Sequence, residues 1–328
     1  MNFNINNRLT VLMEGIIMNA NKNRFLISVF FIFTIIIMNA QTIYGTEPPY
    51  LSNVVINATV NFNAQSDLYS YQYTAKNSQD STGNLVGLNI DIAYISGGAM
   101  LKEEGLSIPY GKWSRTFKQS VPPTAKVNMI PVGMERPEKW IALLSVFGTA
   151  NWGGGDYVQL KPGESLGGFG LISYGLPGIR EFKAEPALDF DADYYPGWES
   201  VAGAVDESKA IRAKIKELKD KVSFTGKTVG PTAPPAAFNP MSFLNYIMNL
   251  KHQAASLGWI DNSGIVNSLD VKLDNAKKKL VQGDNNAAKN ILNAFIREVE
   301  AQVGKHLNSE AYTLLKYNAA YLNSNLPK

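Results

Sequence analysis

The chain has no cysteine and only two histidines, His252 and His306, in 328 residues. Without thiols there can be no disulfide, no thiolate nucleophile and no cysteine-ligated zinc. Two histidines leave little for a histidine-based metal centre. Charge is sparse as well: 18% of residues are charged and the net charge is +3. That is far from the clustered positive field that nucleic acid demands, so no nucleic-acid partner is expected. There is no nucleophile elbow, no serine-triad set and no metal-ligand spacing. What is present is apolar substance. Hydrophobic residues make up 45% of the chain, enough for a sizeable core, and the length leaves room for about two domains.

One long apolar run occurs near the start, Phe25 to Met38, behind Lys22 and Arg24. A basic flank followed by an apolar core shorter than the about 20 residues of a spanning helix is the pattern of a secretory signal. Small residues at Ala40 and Gly45 place the expected cleavage between them, so residues 1–45 are set apart as leader and signal peptide. Within the leader, Glu14-Gly15 implies purine-rich codons just upstream of Met18, and translation is expected to start at Met18. The protein is therefore expected outside the cytoplasm: extracellular, at the cell surface or periplasmic. A membrane partner is expected only if the signal segment stays uncleaved as an anchor.

Residues 46–228 read as one β-rich domain, with strands from about Thr46 to Pro196. In "YSYQYTAKN" the residues Tyr69, Tyr71 and Tyr73 share one face by period-two alternation, and "GLNIDIAY" alternates Leu88, Ile90, Ile92 and Tyr94 against polar neighbours. "WIALLSVFGTANW", Trp140 to Trp152, reads as a more buried strand, and "SLGGFGLISYG" and "GIREFKAEP" follow. Pro122-Pro123, Gly153-Gly154-Gly155, Pro162-Gly163 and Pro177-Gly178 punctuate them, which argues an antiparallel β-sandwich. One amphipathic helix is expected over 206–221, with Ile211, Ile215 and Leu218 at helical spacing, and "VSFTGKT" returns as a last strand. Residues 229–240, with Pro231, Pro234, Pro235 and Pro240, read as a stiff linker.

Residues 241–322 read as four helices. Asn239 caps the first and Pro240 takes its first position, ahead of Phe243, Leu244, Ile247 and Leu250. The second carries Leu269, Leu273, Ala276 and Leu280 as one stripe, which leaves the chain's lysine triplet, Lys277 to Lys279, on the wet side. Gly283-Asp284 turns the chain into a third helix with Ala288, Leu292, Phe295 and Val299, and a fourth carries Ala311, Leu314, Leu315 and Leu322. Short loops between amphipathic helices predict a four-helix antiparallel bundle. The fold class is thus α+β with two domains.

The chemistry on offer is thin. Asp189, Asp191 and Asp193 in "DFDAD" crowd oxygen ligands as Ca²⁺ would need, against the alternative of a charged strand edge; no other cofactor is expected. "GKT" at Gly226 to Thr228 lacks the earlier glycine of a phosphate loop, and Pro231 forbids the helix that should follow. Glu181, Glu185, Asp189 and Asp191 are the carboxylates from which a glycosidase pair would have to come. Trp113, Trp152, Tyr157, Tyr194, Tyr195 and Trp198 lie beside turn residues. Exposed, they would stack on sugar rings; buried, they would close the ends of the sandwich.

The helical region resembles a known family. Asn267-Ser268-Leu269, Lys272-Leu273, Gly283, the "A-x-N-x-L-x-A-F-I" run from Ala288 to Ile296, and Gly304-Lys305 are similar to the FIMAH-type helical domain of exported bacterial proteins. The similarity spans Phe243 to Leu322 and implies a helical module without a catalytic role of its own. The "Y-x-Y-x-x-x-N" of Tyr71 to Asn77 and the "L-x-P-G-x-S-L-x-G-F" of Leu160 to Phe169 resemble immunoglobulin-like sandwiches of bacterial surface proteins, which implies a fold and no activity. The resulting expectation is a non-catalytic exported binding or structural protein whose partner is a polysaccharide or a surface protein. An extracellular glycosidase-like hydrolase is the alternative.

Overall fold

The computed structural model describes residues 48–92, 133–144, 149–155, 158–188, 213, 216–232, 235 and 237–327. The signal segment lies outside them, as do most of the residues between β3 and β4 and the DFDAD run. Nine strands are described: β1 (Val54–Asn63), β2 (Leu68–Asn77), β3 (Leu85–Asp91), β4 (Gly133–Glu135), β5 (Ile141–Leu144), β6 (Thr149–Gly153), β7 (Ser165–Ser173), β8 (Leu176–Pro186) and β9 (Phe224–Thr232). They form two sheets, ordered β1-β2-β7-β4 and β5-β6-β3-β8-β9, and every neighbouring pair is antiparallel.

The alternation of Tyr69, Tyr71 and Tyr73 buries all three on one face of β2. Tyr73 meets Trp152 of β6, and Phe169 of β7 meets both Trp140 and Trp152 edge to face, with the Trp140–Phe169 centroids 5.0 Å apart. Rings from the two sheets thus share one aromatic core. The polar end of the tyrosine motif has a structural role: buried Asn77 donates from Nδ2 to the carbonyls of Gly83 and Leu160, at 3.0 and 3.1 Å.

Two sequence expectations need correction. Trp140 to Trp152 is not one buried strand. It holds two strands, β5 and β6, paired antiparallel, and Ile141 and Leu143 of β5 face outward because they alternate with Ala142 and Leu144, which pack against the core. The stiff linker also begins later than 229, since Val229 to Thr232 stay in β9, paired with β8. Pro231 of the edge strand β9 lies opposite Pro177 of β8, and with no N–H on either ring their carbonyls accept from side chains instead, Pro231 from Arg180 and Pro177 from Asn318. Of the helix expected over 206–221, residues 213 and 216–221 are described and helical, and residue 222 is helical too. Buried Val222 closes that turn, and its carbonyl accepts from Leu51 N–H at 3.0 Å.

The C-terminal helices are α1 (Pro240–Ser256), α2 (Ser263–Val281), α3 (Asn285–Gln302) and α4 (Ser309–Asn325). Each starts on a side-chain cap: Asn239, Asn262, Asp284 and Asn308 accept from backbone N–H groups two or three residues on. Gly283 between α2 and α3 has φ +72°, a conformation that costs a side-chain-bearing residue. The helices touch in a closed ring, α1 with α2, α2 with α3, α3 with α4 and α4 with α1. Their inner faces carry Leu244, Ile247, Leu269, Leu273, Leu292, Phe295, Leu314 and Leu322, all fully buried. Ion pairs cross three of the seams: Lys251 with Asp270, Lys272 with Glu298 at 2.6 Å, and Lys316 with Glu300 at 2.9 Å. Lys251 is 0% exposed, so loss of Asp270 would leave a buried charge alone.

Strands and helices do not stand apart. Residues Pro49–Leu188 and Val205–Lys328 form one compact unit with a continuous apolar core, and α4 packs on β1, β8 and β9.

Candidate functional site

Of the aromatics expected to stack on sugars, Trp113, Tyr157, Tyr194, Tyr195 and Trp198 lie outside the described residues, and so do Asp189, Asp191 and Asp193. Trp152 is described and its expectation as a sugar platform is corrected. It is 1% exposed, its indole N–H donates to the Glu135 carbonyl at 2.8 Å, and its ring packs against Tyr73 and Phe169. The inward position of Trp152 on β6 decides this, not its neighbouring glycines.

Glu181 and Glu185 lie on the outer side of β8, four residues apart, which is about 13 Å along a strand. A glycosidase pair needs roughly 5 to 9.5 Å across a cleft. Each is instead matched to lysines, Glu181 with Lys227 at 3.0 Å and Glu185 with Lys183 and Lys219. Lys183 and Lys216 also hold Asp220, whose carboxyl their hydrogen bonds pull down to about 2. Gly226 to Thr228 is plain β9 strand, and a Cβ on Gly226 would stand 2.5 Å from the Phe182 ring. That glycine seats a phenyl group and no phosphate.

Both histidines are on the surface, and each faces an aspartate from another segment. His306 Nδ1 is 2.9 Å from Asp261 Oδ1 and His252 Nε2 is 3.5 Å from Asp270. The lysine triplet is likewise solvated, with Lys279 reaching Gln282 and Asp284 at the C-terminal end of α2, where positive charge suits the helix dipole. Among the described residues, no three His, Asp or Glu side chains are grouped as a metal would need, and no helix is long and apolar enough to cross a membrane.

The structure offers a cleft that the sequence reading does not single out, although Asn290 and Ile296 of the Ala288 to Ile296 run line it. It lies between α3 and α4, has a volume of about 560 Å³, and is lined by Asn286, Lys289, Asn290, Asn293, Ile296, Ala320, Asn323 and Ser324. Asn286, Asn290 and Asn293 fall at i, i+4 and i+7, so they share one face of α3. The two helices run antiparallel, since Asn293 bonds Asn323 while Glu300 pairs with Lys316. This sets the start of α3 beside the end of α4. Ile296 and the small Ala320 supply an apolar base. Asn323 Nδ2 donates to Asn293 Oδ1 at 2.7 Å across the cleft, and the carboxamides of Asn286 and Asn290 have no protein partner among the described residues. Asparagine is a poor residue for a helix interior, about 0.6 kcal/mol worse than alanine, so its repetition on an exposed face brings no helical stability. That repetition is the signal available in the sequence.

Residues 244–324, which contain the whole cleft, match the family model of the FIMAH domain. The C-terminal region carries a FIMAH domain. Its match begins inside α1 and ends inside α4, so the family's pattern is the ring of four helices and does not extend to the strands. Ala288, Leu292 and Phe295, which carry part of the resemblance, are the buried side of α3, whereas Asn290 and Ile296 of the same run line the FIMAH cleft. No characterised protein is similar enough to the chain to count as a match.

Proposed function

We propose that this is an exported, non-catalytic binding protein, in which the two sheets form a β-sandwich, the FIMAH domain forms an antiparallel four-helix bundle, and the ligand is a polysaccharide. The observation that carries this reading is the α3–α4 cleft. It presents carboxamides, which both donate and accept, with a single formal charge at Lys289 and an apolar base at Ile296 and Ala320. Sugar hydroxyls also donate and accept, and sugar C–H faces are apolar, so the chemistry is complementary. The lysine pairing of Glu181 and Glu185 supports a solvated strand face over a catalytic pair. The basic flank and apolar run before residue 45 support export.

The test is cell fractionation followed by a glycan-binding screen of residues 46–328. A polysaccharide should bind the unaltered chain, and Asn290→Ala should weaken it about tenfold, the loss of one or two hydrogen bonds. Absence of binding to any polysaccharide, with capture of a surface protein instead, would replace the ligand class. Recovery of the chain in the cytoplasm would end the reading.

A further inference from the structure

β1 is the outermost of the described strands of the four-stranded sheet, so one side of its backbone is hydrogen-bonded to no described strand, although β9 of the other sheet lies near β1. On that side α4 takes the partner's place. Glu310 Oε1 accepts the Ala58 N–H at 2.5 Å, and Tyr317 O–H donates to the Val60 carbonyl at 2.9 Å. Asn318 Nδ2 donates to the Pro177 carbonyl of β8 at 2.7 Å and to its own helix at Leu314. These three side chains lie on one face of α4, with Tyr317 and Asn318 about two helical turns beyond Glu310. All three reach main-chain atoms. The contacts are also enclosed: Glu310 is 2% exposed and Asn318 0%, and Ala58 and Val60 are buried beneath them. Tyr317 adds an edge-to-face contact with Tyr69, on the neighbouring strand β2, at 5.6 Å.

A buried glutamate is costly, and burial pushes the Glu310 carboxyl above its ordinary range against the opposing pull of the Ala58 N–H. Apolar packing alone would be served better by leucine. A carboxylate at this place does what leucine cannot, which is to accept an edge N–H strongly. Uncovered, a ten-residue edge strand with alternating inward apolar residues is a template for another strand. The partner that fits it best is the same strand of a second copy, since antiparallel pairing of two like edges is self-complementary.

We propose that α4 is an edge cap: Glu310 and Tyr317 occupy the main-chain positions through which β1 would pair with β1 of a second copy, and the FIMAH domain thereby keeps the chain from associating through its four-stranded sheet. The test uses the full chain with Glu310→Ala and Tyr317→Phe combined, read by amide exchange at Ala58 and by light scattering against concentration. Exchange at Ala58 should quicken at least about tenfold, exchange at Ile90 in the central strand β3 should stay as it was, and association should begin at a lower concentration than for the unaltered chain. Glu310→Gln, which keeps the acceptor, should retain Ala58 protection. Four results would overturn the proposal: unchanged exchange at Ala58, faster exchange spread evenly over both sheets, loss of protection in the glutamine variant, or an opened edge with no added association. Should the double variant fail to fold, Tyr317→Phe alone removes one hydroxyl from a half-buried ring, and association no earlier than in the unaltered chain would then count against the cap.

Discussion

The four-stranded sheet ends on β1, Val54 to Asn63, and the five-stranded sheet ends on β5, Ile141 to Leu144. β1 is long, its inward residues are buried down to Ala58 at 0%, and a helix closes its free side. β5 is less than half as long, and its outward Ile141 and Leu143 are 62% and 60% exposed, more than the outward Val55 and Phe62 of β1 at 44% and 39%. The difference follows from what an edge exposes. A long edge offers a row of donors and acceptors in register and has to be covered, whereas a short one offers too few to hold a stranger. Among the described residues, the only buried glutamate stands at the long edge.

The sharpest way to break this contrast is at Asn318, which ties the capping helix to β8. Asn318→Asp would set a carboxylate against the carbonyls of Pro177 and Leu314 and should cost about 3 kcal/mol in a denaturant titration. A cost near zero would mean that α4 can leave the sheets at little expense. Glu310 gives a smaller, pH-dependent effect. Because burial raises its carboxyl, the native state keeps that proton to higher pH than the unfolded chain does. Its contribution to stability is therefore full at low pH and declines as pH rises from the ordinary glutamate range through the raised value. Glu310→Gln should remove that decline, so melting temperatures of the two proteins should diverge with rising pH, in favour of glutamine. A parallel pH profile would show that the carboxyl does not titrate differently in the two states. The smallest effect belongs to the open edge: Ile141→Lys with Leu143→Lys should change stability by no more than about 0.5 kcal/mol while raising solubility. A loss beyond about 2 kcal/mol would show that β5 is covered after all.

Much of the fold is legible because it is written locally. Tyr69, Tyr71 and Tyr73 alternate, Leu269, Leu273 and Ala276 recur at helical spacing, and Asn239 precedes Pro240; each pattern is short in sequence, and each element forms where it points. The break between β5 and β6 is hidden because Trp140 to Trp152 is apolar and aromatic nearly throughout and reads as one strand. Trp152 misleads because nearby glycines suggest a rim, while its place in the alternation of β6 points inward. The asparagine cleft needs two helices, and only its α3 half has a spacing to read. Glu310, Tyr317 and Asn318 carry no local mark at all. Their partners lie in β1 and β8, and no periodicity in α4 tells a residue that meets a strand from one that meets water.

The bond from Ala58 to Glu310 joins residues 252 apart in the chain. At a synthesis rate of about 5 to 20 residues per second, the first strand would wait roughly 10 to 50 seconds before its cap is made. Contacts of such separation are the slow ones to form, since the loop they close must be ordered first. The interval between making β1 and making α4 is thus a window of vulnerability during folding. The order of the elements along the chain, with the strand early and its cover late, makes holding the chain unfolded until α4 exists the safest route to the native state.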